Sequence, residues 1–172
     1  MTSAKPSRDL EAWIVAAAPR ALAYALTLVR QRAQAEDLVQ DCFRRLLARG
    51  SDYDLLADGD KLLFKSVSNA CLNWLERRKP QVALGEFAET LEGGAGPEEL
   101  AMRNELGRAI DASLLELPAT QRAAIQHSSL GHSLYEVAEM LDITYANARV
   151  QVHRARAALA ERLRPFLTEM TE

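Results

Sequence analysis

Residues Gly131 to Arg156 read GHSLYEVAEMLDITYANARVQVHRAR, and this stretch constrains the chain more than any other. Ser133 and Glu136 have the spacing of a capping box, in which hydroxyl and carboxylate each satisfy a free backbone N–H. Val137, Ala138 and Leu141 then recur at helical spacing. Asp142 stands where a left-handed residue can turn the chain, Ile143 plugs the corner, and Thr144 can cap a second helix. In that helix Ala148, Val152, Ala155 and Leu159 form an inner stripe. Arg149, His153, Arg154 and Arg156 fall mainly on the wetter face. The pattern predicts a helix-turn-helix whose second helix has the size and charge to lie in the major groove of DNA. Arginine can donate two hydrogen bonds to the O6 and N7 edge of guanine or hold a phosphate, and Val150 can lie against a thymine methyl group. The blander alternative is a solvated arginine-rich face.

The rest of the chain reads as helix. Ala and Leu dominate, aromatic residues make up only 6%, and no segment alternates like a strand. The 172 residues suffice for one large domain or two small ones. Helices are expected from about Asp9 to Arg30, with a kink or break near Ala18 because of Pro19, and from about Ala35 to Arg49. A third is expected from about Lys61 to Arg78, stopped by Pro80. Residues 50–60 read as a loop. Residues 81–97 hold a Gly-Gly-Ala-Gly-Pro core and read as a flexible linker. From Pro97 the chain is helical again, with a break at Pro118. The layout is an all-α pair of small domains, 1–80 and 98–172.

Net charge is −3 but unevenly spread: residues 61–79 carry +4, residues 149–164 carry +4, and residues 86–105 carry −5. Two basic patches flanking an acidic stretch suggest two contacts on one polyanion. Cys42 and Cys71 sit in apolar helical patterns without metal-ligand spacing and read as buried small hydrophobes of a reducing compartment. His127, His132 and His153 form no triad or metal pattern, and no phosphate-binding glycine loop is present, which argues against an enzyme. No cofactor is implied. With no signal-peptide core and no apolar run judged to approach membrane-spanning length, a cytoplasmic protein without membrane insertion is expected.

These segments together resemble the extracytoplasmic-function (ECF) sigma factors of the sigma-70 family, over nearly the whole length. AEDLVQDCFRRLLAR (35–49) is similar to the family's polymerase-binding helix. KLLFKSVSNACLNWLERRKP (61–80) is similar to the helix that meets the −10 element and the melted strand. LLELPATQRAAI (114–125) with the helix-turn-helix is similar to the domain that binds the −35 element. The resemblance implies that Asp37, Leu38, Gln40 and Asp41 face core RNA polymerase. It implies that Asn69 and Asn73 meet exposed bases, while Lys65, Arg77, Arg78 and Lys79 hold phosphates. It also implies that Arg149, Val150, His153 and Arg154 contact promoter bases, with Arg156 on the same DNA-binding helix. The acids of 37–41 can instead be a helix N-terminus decorated to suit its dipole, Asn69 and Asn73 solvated polar residues, and His153 a phosphate or surface histidine. Ser51, Asp52, Tyr53 and Asp54 would line the base-selecting loop, where Tyr53 either stacks on a base or plugs into the core. An anti-sigma protein is the further partner implied.

The chain departs from the family pattern at Leu62, where tryptophan is usual, and at Ser68, where arginine is frequent. The second change is expected to remove a phosphate or base contact. Asn147 and Ala148 replace a common Thr-Val pair. Two rival readings remain, a dimeric helix-turn-helix regulator and a sigma-like mimic that sequesters a regulator.

Overall fold

The computed structural model describes residues 8–78 and 97–169. Among the described residues all regular structure is helical. The order is α1 (Arg8–Val29), α2 (Arg32–Ala48), α3 (Leu55–Arg77), α4 (Pro97–Leu115), α5 (Ala119–Ser129), α6 (Leu134–Leu141) and α7 (Tyr145–Glu169). Helices α1 to α3 belong to one compact unit. Helices α4, α5, α7 and the start of α6, through Ala138, belong to another. Apart from Pro97, the first residue of α4, the expected linker 81–97 lies outside the described residues.

In the first unit each helix packs on the other two. Leu28, Leu63, Val67, Cys42 and Cys71 are almost wholly buried. Two edge-on aromatic pairs tie the helices, Trp13 with Phe43 at 5.7 Å and Tyr24 with Phe64 at 5.5 Å between centroids. Burial pushes the Cys71 thiol up to about 12 and raises that of Cys42, so both stay protonated packing groups.

Three expectations need correction here. First, of the kink or break expected at Pro19 the break does not occur, since α1 runs through it as one helix. An internal proline costs about 3 kcal/mol. Burial of Ala17, Ala21, Tyr24, Ala25, Leu28 and Val29 offsets it, since a fully buried Leu or Val alone contributes roughly 1.5–3 kcal/mol. Second, the loop expected at 50–60 is only half a loop. Asp54 caps α3 by accepting from the N–H groups of Leu56 (3.1 Å) and Ala57 (3.2 Å), and Gly59 and Asp60 are helical. Gly59 is required by close packing: a Cβ there would stand 2.7 Å from Cζ2 of Trp13. Asp60 accepts from Trp13 Nε1 (2.9 Å) and pairs with Arg20 (2.8 Å). Burial opposes the Asp60 charge, but these donors win and hold its carboxyl below the ordinary value. Third, α1 is long and apolar enough to cross a bilayer by length and composition, contrary to the sequence reading. Six of its residues face the three-helix core, and a third of the apolar window is buried there.

In the second unit α7 packs on α5 and α4. Pro118 N-caps α5 at the expected break. Arg122 is buried and donates to the carbonyls of Leu115 (3.1 Å) and Leu117 (2.8 Å), satisfying the open end of α4. Arg162 pairs with Glu116 at 2.9 Å. His127 is fully buried in α5, edge-on to His132 at 5.9 Å. Burial, with His132 nearby, lowers its pKa from 6.5 to about 4. The folded chain therefore keeps His127 neutral, while the unfolded chain protonates it below 6.5. Stability present above pH 6.5 is lost as pH falls toward 4, by about 3 kcal/mol in total. Urea unfolding of wild type and His127→Gln should show this steeper loss in wild type alone.

Candidate nucleic-acid and protein interfaces

The helix-turn-helix forms as its residues dictate. Ser133 N donates to Glu136 Oε2 (2.9 Å) while Glu136 N donates to Ser133 Oγ (3.3 Å), which is the capping box. Asp142 adopts φ 54°, the left-handed turn, and the N–H of Ile143 closes on the Ala138 carbonyl at 3.0 Å. Thr144 Oγ1 accepts from Asn147 N at 3.2 Å to start α7. Ala148, Val152 and Ala155 are buried, and Leu159 is half-buried.

Arg149, Val150, His153, Arg154 and Arg156 are all exposed on α7. They share a broad groove with Ser128, His132 and Tyr145, and no acidic residue is among its lining residues that the structure describes. Arg156 differs from the other two arginines. Its Nη2 donates to Ser128 Oγ of α5 at 3.0 Å, so part of its donor set is already engaged. Asn147 and Gln151, one turn apart, are joined at 2.8 Å.

On α3, Lys65, Asn69, Asn73 and Arg77 follow one another at intervals of four and so form a slowly drifting stripe. Lys65 and Asn69 are half-buried; Asn73 and Arg77 are exposed. Arg77 Nε donates to the Asn73 carbonyl at 3.2 Å, and Glu76 shares a shallow concavity with both. Arg78 leaves the stripe and lies over the Trp74 ring at 4.5 Å. Lys79 lies outside the described residues. Tyr53 is partly exposed beneath the Arg49 guanidinium, 5.7 Å from its ring centroid.

Ser68 corrects the sequence reading. It is completely buried, donating to the Phe64 carbonyl (2.6 Å) and paired with the Tyr24 hydroxyl (2.7 Å). Since the single serine proton goes to Phe64, Tyr24 donates to Ser68. A serine here therefore removes no nucleic-acid contact, because position 68 of this chain faces the core.

On α2, Asp37 and Gln40 are exposed, while Leu38 and Asp41 are partly covered. Asp41 is engaged by Arg44 (3.2 Å) and Arg45 (2.9 Å). Asp37 has no ion-pair partner among the described residues. Among those residues, no group of three or more His, Cys, Asp or Glu side chains could hold a metal ion.

Sequence reasoning missed one feature of this region. Tyr135 and Tyr145 stack across the turn with centroids 4.4 Å apart and 27° between planes. Tyr135 is 72% exposed and Tyr145 40%. The only signal was two tyrosines each near the start of a helix, with no periodicity to link them.

Residues 107–159 match the family described as Sigma-70, region 4. The chain is 27% identical over 142 residues to the ECF RNA polymerase sigma factor SigW of Bacillus subtilis, covering 76% of each. It is 29% identical over 150 residues to the ECF RNA polymerase sigma factor EcfG of Rhodopseudomonas palustris, covering 86% of this chain and 81% of the relative. Its fold matches that of the sigma factor RpoE, solved in complex with the anti-sigma factor NepR from Bartonella quintana. The TM-score is 0.71 at 22% identity, over 91% of this chain and 98% of that one.

Proposed function

We propose that the chain, which matches Sigma-70, region 4 over residues 107–159 and is similar to ECF sigma factors over most of its length, is an ECF sigma factor of the sigma-70 family and acts in the cytoplasm as a non-enzymatic transcription initiation factor. It brings core RNA polymerase to particular promoters, and an anti-sigma protein controls it. Residues 1–80 form the domain that docks on polymerase and meets the −10 element. Residues 98–172 form the domain that reads the −35 element, and 81–97 link them. The observation that carries this reading is the acid-free groove along α7, lined by Arg149, Arg154 and Arg156. Its chemistry suits a polyanion.

In this scheme Arg149, Val150, His153 and Arg154 read bases, and Arg156 combines a phosphate contact with its tie to α5. The α3 stripe of Lys65, Asn69, Asn73 and Arg77, with Arg78 and Lys79, holds the opened strand. Capture of each unpaired base by stacking or hydrogen bonding contributes on the order of 1–3 kcal/mol toward melting. Tethering two weak DNA contacts in one chain raises affinity through effective concentration and tolerates some variation in spacing.

Asp37, Leu38, Gln40 and Asp41 form the polymerase-docking edge, and the ion pairs of Asp41 rank its carboxylates. A basic partner surface meets Asp37 directly but must compete with Arg44 and Arg45 for Asp41. Asp37→Asn should therefore weaken binding to core polymerase roughly tenfold, and Asp41→Asn by less. Titration of labelled full-length chain with core polymerase tests both the docking and the ranking. Wild-type chain that fails to bind core polymerase would contradict the function; a reversed ranking would contradict the assignment of the edge.

A further inference from the structure

Exposed aromatic pairs on a small domain need a reason, because each ring would gain more from the core than from water. Tyr135 and Tyr145 form such a pair, stacked at 4.4 Å at the N-terminal ends of α6 and α7. Their position is specific. Tyr145 lines the groove along α7 and stands one turn before Arg149, and Tyr135, which is not itself a lining residue, is held beside it by the stack. The groove carries three arginines and two histidines and no carboxylate, so its charge complements DNA and not an acid-poor protein face. Stacking also restrains both rings before any partner arrives, so contacts made by them lose little rotamer freedom.

We propose that the Tyr135–Tyr145 stack is a DNA-backbone contact that fixes the register of α7 on duplex DNA. The two phenols donate neutral hydrogen bonds to backbone phosphates beside the bases that α7 reads. The inference rests on the reading of α7 as a DNA-recognition helix and adds to it two residues and a mode of contact. A phenol is uncharged at neutral pH, so its loss weakens binding without reducing the number of cations that the protein substitutes on the phosphates. Loss of Arg149 does reduce that number.

The test uses full-length chain reconstituted with core polymerase. The probe is a pool of duplexes enriched by the wild-type holoenzyme from a library randomised upstream of the start site. Tyr135→Phe with Tyr145→Phe keeps both rings and hence the stack. The double variant should bind roughly tenfold more weakly, with the slope of log affinity against log salt unchanged. Arg149→Ala should weaken binding and also make that slope shallower by about one. Wild-type affinity in the double phenylalanine variant would overturn the proposal while leaving α7 as the reader. A slope that falls with the phenols would overturn it too, since the stack would then be holding a cation in place. If Arg149→Ala also binds like wild type, the reading of α7 itself fails.

Discussion

Reversing the charge at Arg149 and Arg154 together, as Arg149→Glu with Arg154→Glu, is expected to lower start-site-specific RNA synthesis at least about a hundredfold. Each arginine lost from a base or phosphate contact costs about 1–3 kcal/mol, and two introduced carboxylates add repulsion from the phosphates. The fold should survive. Both residues are exposed, and the inner stripe of Ala148, Val152 and Ala155 is untouched. Transcript yield and core-polymerase binding are measured on the same preparation. Yield should collapse while polymerase binding, assigned to α2, stays near wild type. Yield within twofold of wild type would remove α7 from the role of reader.

The second large effect lies in the core. Ser68→Arg places a guanidinium where the native side chain is 0% exposed and bonded to Tyr24 and Phe64. An unpaired buried charge costs several kcal/mol, against a total stability of about 5–15 kcal/mol for a small domain. The first unit should therefore be largely unfolded or loosened, with lost helicity and early urea unfolding. Ser68→Ala should be milder, about 1 kcal/mol, since it removes hydrogen bonds without burying charge. A fully helical Ser68→Arg chain with tighter DNA binding would mean that position 68 faces solvent.

Ser68 also marks where sequence reasoning stopped. Its residue type and family context suggested a lost nucleic-acid contact. Only three-dimensional packing reveals that Tyr24, forty-four residues away, points at it. Local chemistry was legible. The Ser133–Glu136 box, the left-handed Asp142 and the Thr144 cap all form at the residues whose side chains specify them, because these interactions close within a few positions. The exposed face of α7 was legible for the same reason, through helical spacing. Non-local effects were not. Asp54 starts α3 six residues before the expected point, and Gly59 and Asp60 look like turn residues until Trp13 and Arg20 are placed against them. Pro19 reads as a breaker by propensity, and tertiary burial of the α1 face overrides it. That Asp41 is ion-paired depends on the rotamers of Arg44 and Arg45, which spacing alone permits but does not fix.

The central claim is that this chain confers promoter choice on a polymerase that lacks it. The most direct measurement is run-off transcription from a randomised promoter pool by core polymerase, with and without the full-length chain, followed by sequencing of the templates that yielded transcript. The account predicts that discrete start sites arise only when the chain is present, on templates sharing two separated sequence elements, one near the start site and one upstream. Transcripts of the same start-site distribution with and without the chain, or enriched templates sharing no upstream element, would contradict it.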